Sequence, residues 1–400
     1  MPLVDHVFLN RGLAATTPHP LGLEVSHAQG PWIYLTDETK LFDAVSGIGV
    51  TNFGHGNDIV LDQLRSQLEK HLHTMVYGEF LQKTQTEASA LLCATLPEEL
   101  DGIYFLNSGA EAIDGAIKLS RRINGRTRLM AVSGSYHGNT IGSLSVSSNE
   151  SRKAAYRPLL PEVEFLKWND PSDLKRIDST VACVIVETVQ GDAGVRIPSK
   201  NWLQDLRSKC RETGALLILD EIQCGMGRTG KPWAFEHFDI VPDILCMGKA
   251  LGGGMAIGAM ATSKARLSLF AHNPSLGHIT TFGGHPMACA GAVGALKSLD
   301  NINFTQVERL NRMWQDALES HVAVRKVRRI GAFFAVEMES AEAVQKTIEC
   351  GLKCASGTGI LLFYFLSVPH AFRLAPPLTC SEDEMATGLR LILQALDHVR

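Results

Sequence analysis

A lysine and two acids near the middle of the chain have the residue types that carbonyl chemistry requires. Lys249 lies in the glycine-rich stretch MGKALGGG, and Asp220 and Glu221 end the apolar run LLILDE. Small apolar surroundings disfavour a cation and so lower the pKa of a lysine, whose amine is a nucleophile only when neutral. The acid and the lysine together therefore suggest a Schiff-base site. A solvated lysine in an ordinary loop is the alternative.

Further polar groups are expected at the ends of buried strands. Asn107 and Ser108 follow the apolar run GIYFL, and Glu187 ends the run ACVIVE. Strand and helix patterns alternate through this part of the chain, which predicts a mainly parallel sheet covered on both faces. Because ligands of such sheets bind beyond the carboxyl ends of the strands, we expect these residues to converge with Asp220.

The turn after the first of these strands has the composition of an anion site. Ser108, Gly109 and Ala110 form the turn, and the helix EAIDGAIKLSRR follows with acids first and arginines last. Backbone N–H groups at the positive end of a helix attract anions, and Ser108 adds a hydroxyl donor. A tight turn without a ligand explains the same residues.

Length and composition limit the protein class. The chain has 400 residues, 45% of them hydrophobic and 20% charged, which is typical of a globular protein with two domains or one large α/β domain and an accessory lobe. The formal net charge is -4 and the pI is about 6.4. Without a basic patch, nucleic acid is not expected as a partner.

The cysteines and apolar runs predict a cytoplasmic protein. The nine cysteines form no CxxC motif and no metal-finger spacing, so we expect reduced core residues and no metal site. The N-terminus, MPLVDHVFLNRG, lacks the apolar run of a signal peptide. The longest uncharged apolar run, residues 359–368, is far shorter than a membrane span, so no membrane partner is expected.

Periodicity predicts three regions. Residues 1–50 form an N-terminal arm that joins a smaller lobe, residues 51–299 form a large domain, and residues 300–400 form a small α+β domain. Helices are predicted at 57–73, 85–96, 201–213, 287–299, 305–320, 340–357 and 382–398. In the last region, the runs VRRIGAFFAVEM and GILLFYFLSV are each predicted as a single strand.

One segment resembles a nucleotide-binding loop. Residues 225–231, GMGRTGK, fit the GxxxxGK pattern of P-loops. However, Pro232 stands where that motif needs a Ser or Thr hydroxyl for Mg²⁺, and it does not lead into a helix that would cap a phosphate. The strand LLILDE, which ends in two acids, also comes directly before the loop. It would therefore have to be the P-loop's own strand. These departures disfavour a nucleotide site.

Read together, the segments resemble the class III (subgroup II) pyridoxal-phosphate-dependent aminotransferases over nearly the whole chain. The motifs that carry the resemblance are NSGAEAIDGAIKLSR (107–121), YHGNT (136–140), VIVETVQGDAGV (184–195), LLILDEIQCGMGRTGKPWAFEHFDIVPDILCMGKALGGG (216–254), TTFGGHP (280–286) and FRLAPPL (372–378). The resemblance implies an α/β protein of the type I aminotransferase fold, with a large, mainly parallel sheet domain and a smaller α+β lobe.

The resemblance also implies roles around pyridoxal 5'-phosphate. Lys249 would hold the cofactor as an internal aldimine and then act as general base and acid. Asp220 would keep the pyridine nitrogen protonated, so that the ring draws off the carbanion's electrons. The expected cofactor-binding set is Ser108, Gly109, Ala110, Tyr136, His137, Glu187, Asp220, Ile222, Gln223, Lys249 and Thr281.

Within that set, the family assigns contacts to individual groups. Tyr136 and Ile222 would enclose the ring, and Gln223 would bond its phenolic oxygen. The phosphate would lie at the start of the helix that follows Ser108. Thr281 would reach the phosphate from the neighbouring subunit, so the resemblance implies a homodimer with shared active sites. The GRTGK segment becomes structural, with Arg228 as a packing or interface residue.

The substrate is implied by the C-terminal motif. Arg373, in the RxxPPL form, would bind a substrate carboxylate through a two-pronged contact that lysine could not imitate. This form resembles acetylornithine, ornithine and related ω-aminotransferases, which pass an amine to 2-oxoglutarate. Asp192, where many relatives have Glu, would gate Arg373 between the two half-reactions. Asn139 stands at the substrate side, where ornithine-type enzymes often have Arg.

Two smaller departures border the site, and three other functions stay open. Thr188 replaces a usual Pro, and His285 replaces a usual Asn before Pro286. One alternative is an aminomutase of the glutamate-semialdehyde type, and another is a transaminase with a different donor, such as 4-aminobutyrate. A non-catalytic relative that only binds the cofactor is the third, and the presence of both Lys249 and Asp220 argues against it.

Overall fold

A seven-stranded sheet forms the centre of the molecule. The structure is a computed structural model that describes residues 12, 14, 16–17, 20–76, 78–353 and 357–399. The beginning of the predicted N-terminal arm therefore lies outside the described residues. The strands of the central sheet are β4 (Gly102–Leu106), β5 (Arg128–Val132), β6 (Val163–Leu166), β7 (Val181–Glu187), β8 (Leu216–Asp220), β9 (Ile244–Gly248) and β10 (Gly258–Thr262).

The order and direction of these strands confirm the predicted α/β class. The order across the sheet is β4, β10, β9, β8, β7, β5, β6. The pairs from β9 to β6 are parallel, and only β10 runs against its neighbours β4 and β9. The carboxyl ends of six strands therefore lie at one edge of the sheet, where ligands of such folds bind.

The middle strands are buried on both faces because each consists almost entirely of apolar residues. All seven residues of β7 are buried. Val184 and Val186 pack into the apolar cluster on one face, and Cys183 and Ile185 pack into the cluster on the other. A strand that is apolar at every position can only be satisfied between two layers of helices, which agrees with the sequence prediction.

The helices begin and end close to the predicted bounds. In chain order they are α1 (Ser46–Gly49), α2 (Asp58–Leu68), α3 (Lys83–Ala94), α4 (Gly109–Asn124), α5 (Ile141–Val146), α6 (Glu150–Lys153), α7 (Lys200–Thr213), α8 (Lys264–Leu267), α9 (Pro286–Asp300), α10 (Phe304–Glu319), α11 (Ala341–Leu352) and α12 (Glu382–Asp397). The predictions of 57–73 and 340–357 were too long. α2 ends at Leu68 and α11 ends at Leu352. The three residues after Lys353 lie outside the described part of the chain.

Two smaller sheets complete the structure. One consists of β1 (Val25–Gln29), β2 (Trp32–Leu35), β3 (Lys40–Asp43) and β13 (Thr358–Leu361), and the other of β11 (Lys326–Ile330), β12 (Phe333–Glu337), β15 (Ala371–Leu374) and β14 (Phe363–Tyr364). β3 pairs in parallel with β13. The end of the N-terminal arm is therefore joined by backbone hydrogen bonds to the C-terminal region.

The prediction of two long single strands in the C-terminal region was wrong. VRRIGAFFAVEM is a hairpin, because Gly331 turns the chain at a φ of +57° between β11 and β12. GILLFYFLSV divides between the two small sheets, with Ile360 pairing with Phe42 in one and Phe363 with Arg373 in the other. Both runs stay apolar across the point where one strand ends and the next begins, so periodicity did not reveal these ends.

The small sheets have an apolar core of their own, built around Phe42, Trp314, Phe334 and Phe372. The exact domain boundaries at residues 50 and 299 stay predictions. None of the helices in the described part of the chain has the length and apolar character that a membrane span requires.

Candidate active site

A cavity of about 460 Å³ opens at the carboxyl edge of the central sheet. It lies beyond the ends of β7, β8 and β9, beside the start of α4. Ten of the predicted site residues line it: Gly109, Ala110, Tyr136, His137, Asn139, Glu187, Asp220, Ile222, Gln223 and Lys249. Glu187 and Asp220 therefore meet at one cavity, as their strand-end positions indicated, whereas Asn107 and Ser108 do not line it.

Asp220 is held at the bottom of this cavity by fixed donors. Its Oδ2 lies 2.7 Å from His137 Nδ1, and its Oδ1 accepts a hydrogen bond from the backbone N–H of Ile222 at 3.0 Å. Both Asp220 and His137 are buried. Carboxylate oxygens accept more than one hydrogen bond each, so this orientation leaves acceptor capacity on Asp220 for a cationic group in the cavity.

Glu187 lies beside Asp220 because the two residues are direct partners across β7 and β8. Its oxygens accept hydrogen bonds from the backbone N–H groups of Tyr136 and Gly191, both at 2.9 Å. Burial nevertheless raises the pKa of Glu187 to about 7, and the nearby Asp220 adds to the rise. Glu187 thus connects the loops that carry Tyr136 and Gly191 to the end of β7.

Lys249 follows β9 in a single 3₁₀ turn, Lys249–Gly252. Its φ of +46° lies in the left-handed region, which is strained for any residue with a side chain. The residue is partly accessible only because it faces the cavity, and the surrounding protein lowers the pKa of its amine by burial. Asp220 opposes that decrease, and Arg373 adds to it. Neutral amine is therefore more available here than at a surface lysine.

The start of α4 forms the opposite wall of the cavity. Ser108 caps the helix, with its Oγ accepting from the N–H of Glu111 at 3.2 Å. The Ile222 side chain lies so close to Gly109 that a Cβ at position 109 would come within 2.7 Å of its Cδ1. Ile222 and the first turn of α4 therefore pack directly together, and the N–H groups of that turn border the cavity.

Tyr136 and Gln223 are positioned by neighbours on other segments. The Tyr136 hydroxyl accepts from Asn139 Nδ2 at 3.2 Å, and burial raises the pKa of the phenol. Gln223 packs against two glycines. A Cβ at Gly191 would lie 1.9 Å from Gln223 Oε1, and one at Gly49 would make an ordinary contact of 3.6 Å with Gln223 Cγ. The amide end of Gln223 is thus held at the cavity wall.

Four predicted site residues do not line the cavity. Arg373 and Asp192 form a buried pair, with Arg373 Nη2 3.4 Å from Asp192 Oδ1. Ser108 is the helix cap already described. Thr281 is exposed, in the segment that precedes α9.

The departures at Thr188 and His285 acquire definite contacts. Thr188 Oγ1 donates to Glu221 Oε1 at 2.8 Å, and its N–H donates to Asp220 O at 3.3 Å. A proline at position 188 would have neither donor. His285 caps α9, because its Nδ1 accepts from the N–H of Met287 at 3.2 Å. Both substitutions therefore preserve order in the backbone beside the cavity.

Some functional neighbours were missed by sequence reasoning. Val189 and Cys224 line the cavity, and both lie inside motifs that were recognised, so their positions were a usable signal. Ser367 and Leu366 hold Asp192, although they are 175 and 174 residues away in sequence. No local pattern marks them, since their contact exists only after the segment between β14 and β15 has packed against the loop that follows β7.

The segment GMGRTGK does not form a nucleotide site. It lies in a series of turns followed by a 3₁₀ helix, Ala234–His237, so no phosphate-capping α-helix begins there. Arg228 is fully buried and donates to the backbone oxygens of Ala332 and Pro376 at 3.0 and 2.7 Å and to the side chain of Asn52. Its packing role, expected from the resemblance, agrees with these contacts.

The sequence was compared with known families and proteins. The family model for Aminotransferase class-III matches residues 13–396. An acetylornithine aminotransferase from Methanopyrus kandleri is 35% identical over 92% of this chain and 92% of its own. A putrescine aminotransferase from Pectobacterium atrosepticum is 34% identical over 97% of this chain and 85% of its own.

Solved structures of aminotransferases have the same fold as this chain. The ornithine aminotransferase from Toxoplasma gondii ME49 aligns with a TM-score of 0.89 at 26% identity, covering 98% of this chain and 94% of that one. A second structure of an ornithine aminotransferase from Toxoplasma gondii is described with pyridoxal phosphate at its active site. The chain therefore belongs to the class III aminotransferases and is a pyridoxal-phosphate-dependent ω-transaminase.

Proposed function

We propose that this transaminase moves the terminal amino group of a small carboxylated amine, acetylornithine or ornithine, to 2-oxoglutarate. The observation that carries the proposal is that Lys249 and Asp220 line the same cavity. There Lys249 would bind the cofactor covalently, and Asp220 would meet its ring nitrogen. The relatives named for acetylornithine and ornithine support the donor class.

The residues around the cavity fit pyridoxal phosphate. The volume of about 460 Å³ accommodates a group of this size, and the start of α4 offers the N–H groups that a phosphate prefers. Across the cavity from α4, Asp220 can accept a further hydrogen bond. Ile222 forms an apolar wall of the cavity and Tyr136 an aromatic one. When bound, the cofactor accepts the substrate amine and withdraws the electrons released at the neighbouring carbon.

Each residue then has one task. Lys249 Nζ, whose pKa is lowered by burial, would bind the cofactor and take the proton from the carbon that bears the substrate amine. Asp220, fixed by His137 and Ile222, carries the negative charge that holds a proton on the ring nitrogen. Gln223 would donate to the phenolic oxygen, and Ser108, Gly109 and Ala110 would bind the phosphate.

Arg373 is the proposed carboxylate site. Burial lowers the pKa of Lys249, and the positive charge of Arg373 adds to the decrease. Arg373 lies on β15 with its side chain buried. Asn139, hydrogen-bonded to Tyr136 at the cavity wall, would meet the far end of the substrate through an uncharged amide. The second N–H of this amide can donate to a carbonyl or carboxylate oxygen at that end, and both acetylornithine and 2-oxoglutarate have such an oxygen there.

A homodimer with shared active sites is part of the proposal. Thr281 is exposed and outside the cavity of its own chain, so it would serve a neighbour's site. Next to it, Phe282 contacts His73 at 5.1 Å between ring centroids, which places two segments on one surface. That surface carries several exposed apolar side chains, Leu72, Phe80, Leu81, Ile279 and Phe282. Exposed apolar area of this kind is typical of protein interfaces.

A cytoplasmic location is also proposed. The eight cysteines in the described part of the chain are free, and burial raises the pKa of the thiols of Cys183, Cys210 and Cys289. Unpaired, unreactive thiols are typical of proteins from reducing compartments.

A panel of donors and acceptors tests the function. Purified holoenzyme is given acetylornithine, ornithine, putrescine or 4-aminobutyrate, each with and without 2-oxoglutarate, and glutamate is measured. We expect glutamate from acetylornithine or ornithine only when 2-oxoglutarate is present, and none from Lys249→Ala. Asp220→Ala should retain the fold and lose most of the rate. Conversion of an amino aldehyde without any added oxo acid would instead indicate an aminomutase.

A further inference from the structure

Three hydrogen-bond donors hold the carboxylate of Asp192 in its orientation. Its Oδ1 accepts from the N–H of Leu366 at 3.1 Å and lies 3.4 Å from Arg373 Nη2. Its Oδ2 accepts from Ser367 Oγ at 2.7 Å. Both carboxylate oxygens are therefore engaged, one of them twice, and the residue is buried.

The backbone that carries Asp192 is also fixed. Gln190 and Arg196 exchange two backbone hydrogen bonds of 3.0 and 3.1 Å, which close the loop at its base. Inside the loop, the N–H of Gly191 donates to Glu187 at 2.9 Å, and Gly194 O accepts from Arg328 Nε at 2.6 Å. An aspartate has a single methylene between this backbone and its carboxylate, so it reaches less far than a glutamate, and any rotation away from Arg373 would break the hydrogen bonds to Leu366 and Ser367.

Arg373 keeps donors in reserve while it is paired. A guanidinium has five N–H donors, and within the described residues Arg373 makes the one hydrogen bond to Asp192. Its Nε is buried without a partner, and the guanidinium lies 4.5 Å from the centre of the Phe365 ring. A buried donor without a partner is costly, so it identifies an edge of Arg373 that is built to receive an acceptor.

We propose that Asp192 and Arg373 form a permanent pair, and that a substrate carboxylate binds the remaining donors of Arg373 while Asp192 stays in place. This inference rests on the proposed function and concerns how its carboxylate site works. It replaces the gate that the family resemblance implies at Asp192. Ser367 is the positioning residue, since its hydroxyl holds the oxygen of Asp192 that faces away from Arg373.

A permanent pair has a consequence for specificity. Because Asp192 offsets the charge of Arg373, a carboxylate gains less from binding there than it would at an unpaired arginine. An uncharged end of a substrate is penalised less, since it leaves no isolated buried cation. The same arrangement therefore serves two kinds of substrate. The amine donor has no carboxylate beside its reacting amine, and the 2-oxo acid has a carboxylate beside its oxo group.

Glutarate is the probe for the closing experiment. It has the two carboxylates of 2-oxoglutarate without the oxo group, so it binds without reacting. In crystals of the holoenzyme with and without glutarate, we expect Asp192 to remain hydrogen-bonded to Ser367 and Arg373 in both. A glutarate complex in which Asp192 has turned away from Arg373, or in which no carboxylate contacts Arg373, overturns the proposal.

Calorimetry in solution tests the charge and the tether separately. Asp192→Asn keeps the size of the side chain and removes its charge, so glutarate should bind the holoenzyme about tenfold more tightly. Ser367→Ala should tighten glutarate binding about threefold by loosening Asp192, and Ser367→Thr, which keeps the hydroxyl, should restore the original affinity. Unchanged affinity in Asp192→Asn contradicts the offset of charge, and unchanged affinity in Ser367→Ala contradicts the tether.

These measurements do not require turnover. A chain that fails the donor panel can still show whether Asp192 moves when glutarate binds, so failure of the permanent pair is distinguishable from failure of the proposed transaminase reaction.

Discussion

His137 Nδ1 lies 2.7 Å from Asp220 Oδ2, and both side chains are buried at the bottom of the cavity. This contact orients the carboxylate that we propose as the partner of the cofactor's ring nitrogen. Within the described residues, the other ring nitrogen of His137 has no protein partner. The histidine is thus committed to Asp220 and contributes by holding the acid in place.

Replacement of His137 should lower the rate without abolishing it. In His137→Phe, Asp220 loses a donor and keeps the N–H of Ile222, so we expect kcat to fall by about tenfold, roughly 1.4 kcal/mol. His137→Asn keeps an N–H near the same place and should lose less. Steady-state kinetics on both variants, with the cofactor content measured by absorbance, checks this. Equal rates in His137→Phe and the wild type would remove the orienting role.

Lys249 should destabilise the cofactor-free protein, and more so at low pH. Its folded pKa is lowered by burial, so the folded state binds fewer protons than the unfolded state between the lowered value and the unfolded pKa. Stability is therefore lost as pH falls through the folded pKa. Lys249→Met removes the buried cation, and its Tm should exceed that of the wild-type apoprotein at pH 6, with a smaller difference at pH 10.

Thermal unfolding of the apoprotein across this pH range measures the Lys249 effect. The exposed Lys70 provides the matched control, because Lys70→Met removes a charge that water solvates. A Tm difference for Lys249→Met that is independent of pH would mean that the folded and unfolded states bind equal numbers of protons at this amine, and so that its pKa is not lowered.

Glu221 should give the opposite pH dependence. Burial raises its folded pKa to about 7, although Thr188, Ala234 and Phe235 all donate to it. An unfolded glutamate titrates near ~4.3, so the folded state binds the extra proton between about 4.3 and 7. The stabilisation is complete below the unfolded pKa and is lost as pH rises through 7, by roughly 1.4 kcal/mol per pH unit.

Urea unfolding of the apoprotein from pH 4.5 to 7.5 tests Glu221. In Glu221→Gln, we expect the free energy of unfolding to depend less on pH, and the exposed Glu99→Gln should retain the wild-type slope. A slope unchanged by Glu221→Gln would show that the three donors keep this carboxylate ionised even at low pH.

Arg228 should be a major contributor to stability. Its guanidinium joins the loop after β8 to Asn52, Ala332 and Pro376, which belong to three other segments. Arg228→Ala leaves these buried acceptors without donors, so we expect a loss of about 3 kcal/mol or more in the free energy of unfolding. Denaturant unfolding measures it. Arg65→Ala, at an exposed ion pair, should change stability by less than about 1 kcal/mol.

The proposed dimer surface can be tested at Leu81, whose side chain is 94% exposed in the single chain. Leu81→Asp places a charge in the proposed interface, so we expect a shift from dimer to monomer and a fall in activity, because Thr281 would no longer reach a neighbour's site. Light scattering after size-exclusion chromatography gives the mass. Val322→Asp changes an apolar residue that is 74% exposed elsewhere and should leave the mass unchanged. A wild-type monomer would refute the proposed assembly.

The sequence by itself determined the central sheet and the main site residues. Apolar runs such as VACVIVE and LLILD are short-range signals, and they predicted β7 and β8 together with the acids at their ends. Lys249 was marked by its glycines in the same local way. Once the strands were known to be parallel, the meeting of Glu187 and Asp220 followed from the geometry of the sheet.

Only the tertiary structure decided which side chains hold these groups. His137 and Asp220 are 83 residues apart, Asp192 and Ser367 are 175 apart, and Arg228 and Pro376 are 148 apart. The structure also decided where VRRIGAFFAVEM divides into β11 and β12, and where GILLFYFLSV divides into β13 and β14. Periodicity reports local burial, whereas these contacts depend on how whole sheets and loops pack against one another, and a local pattern does not contain that information.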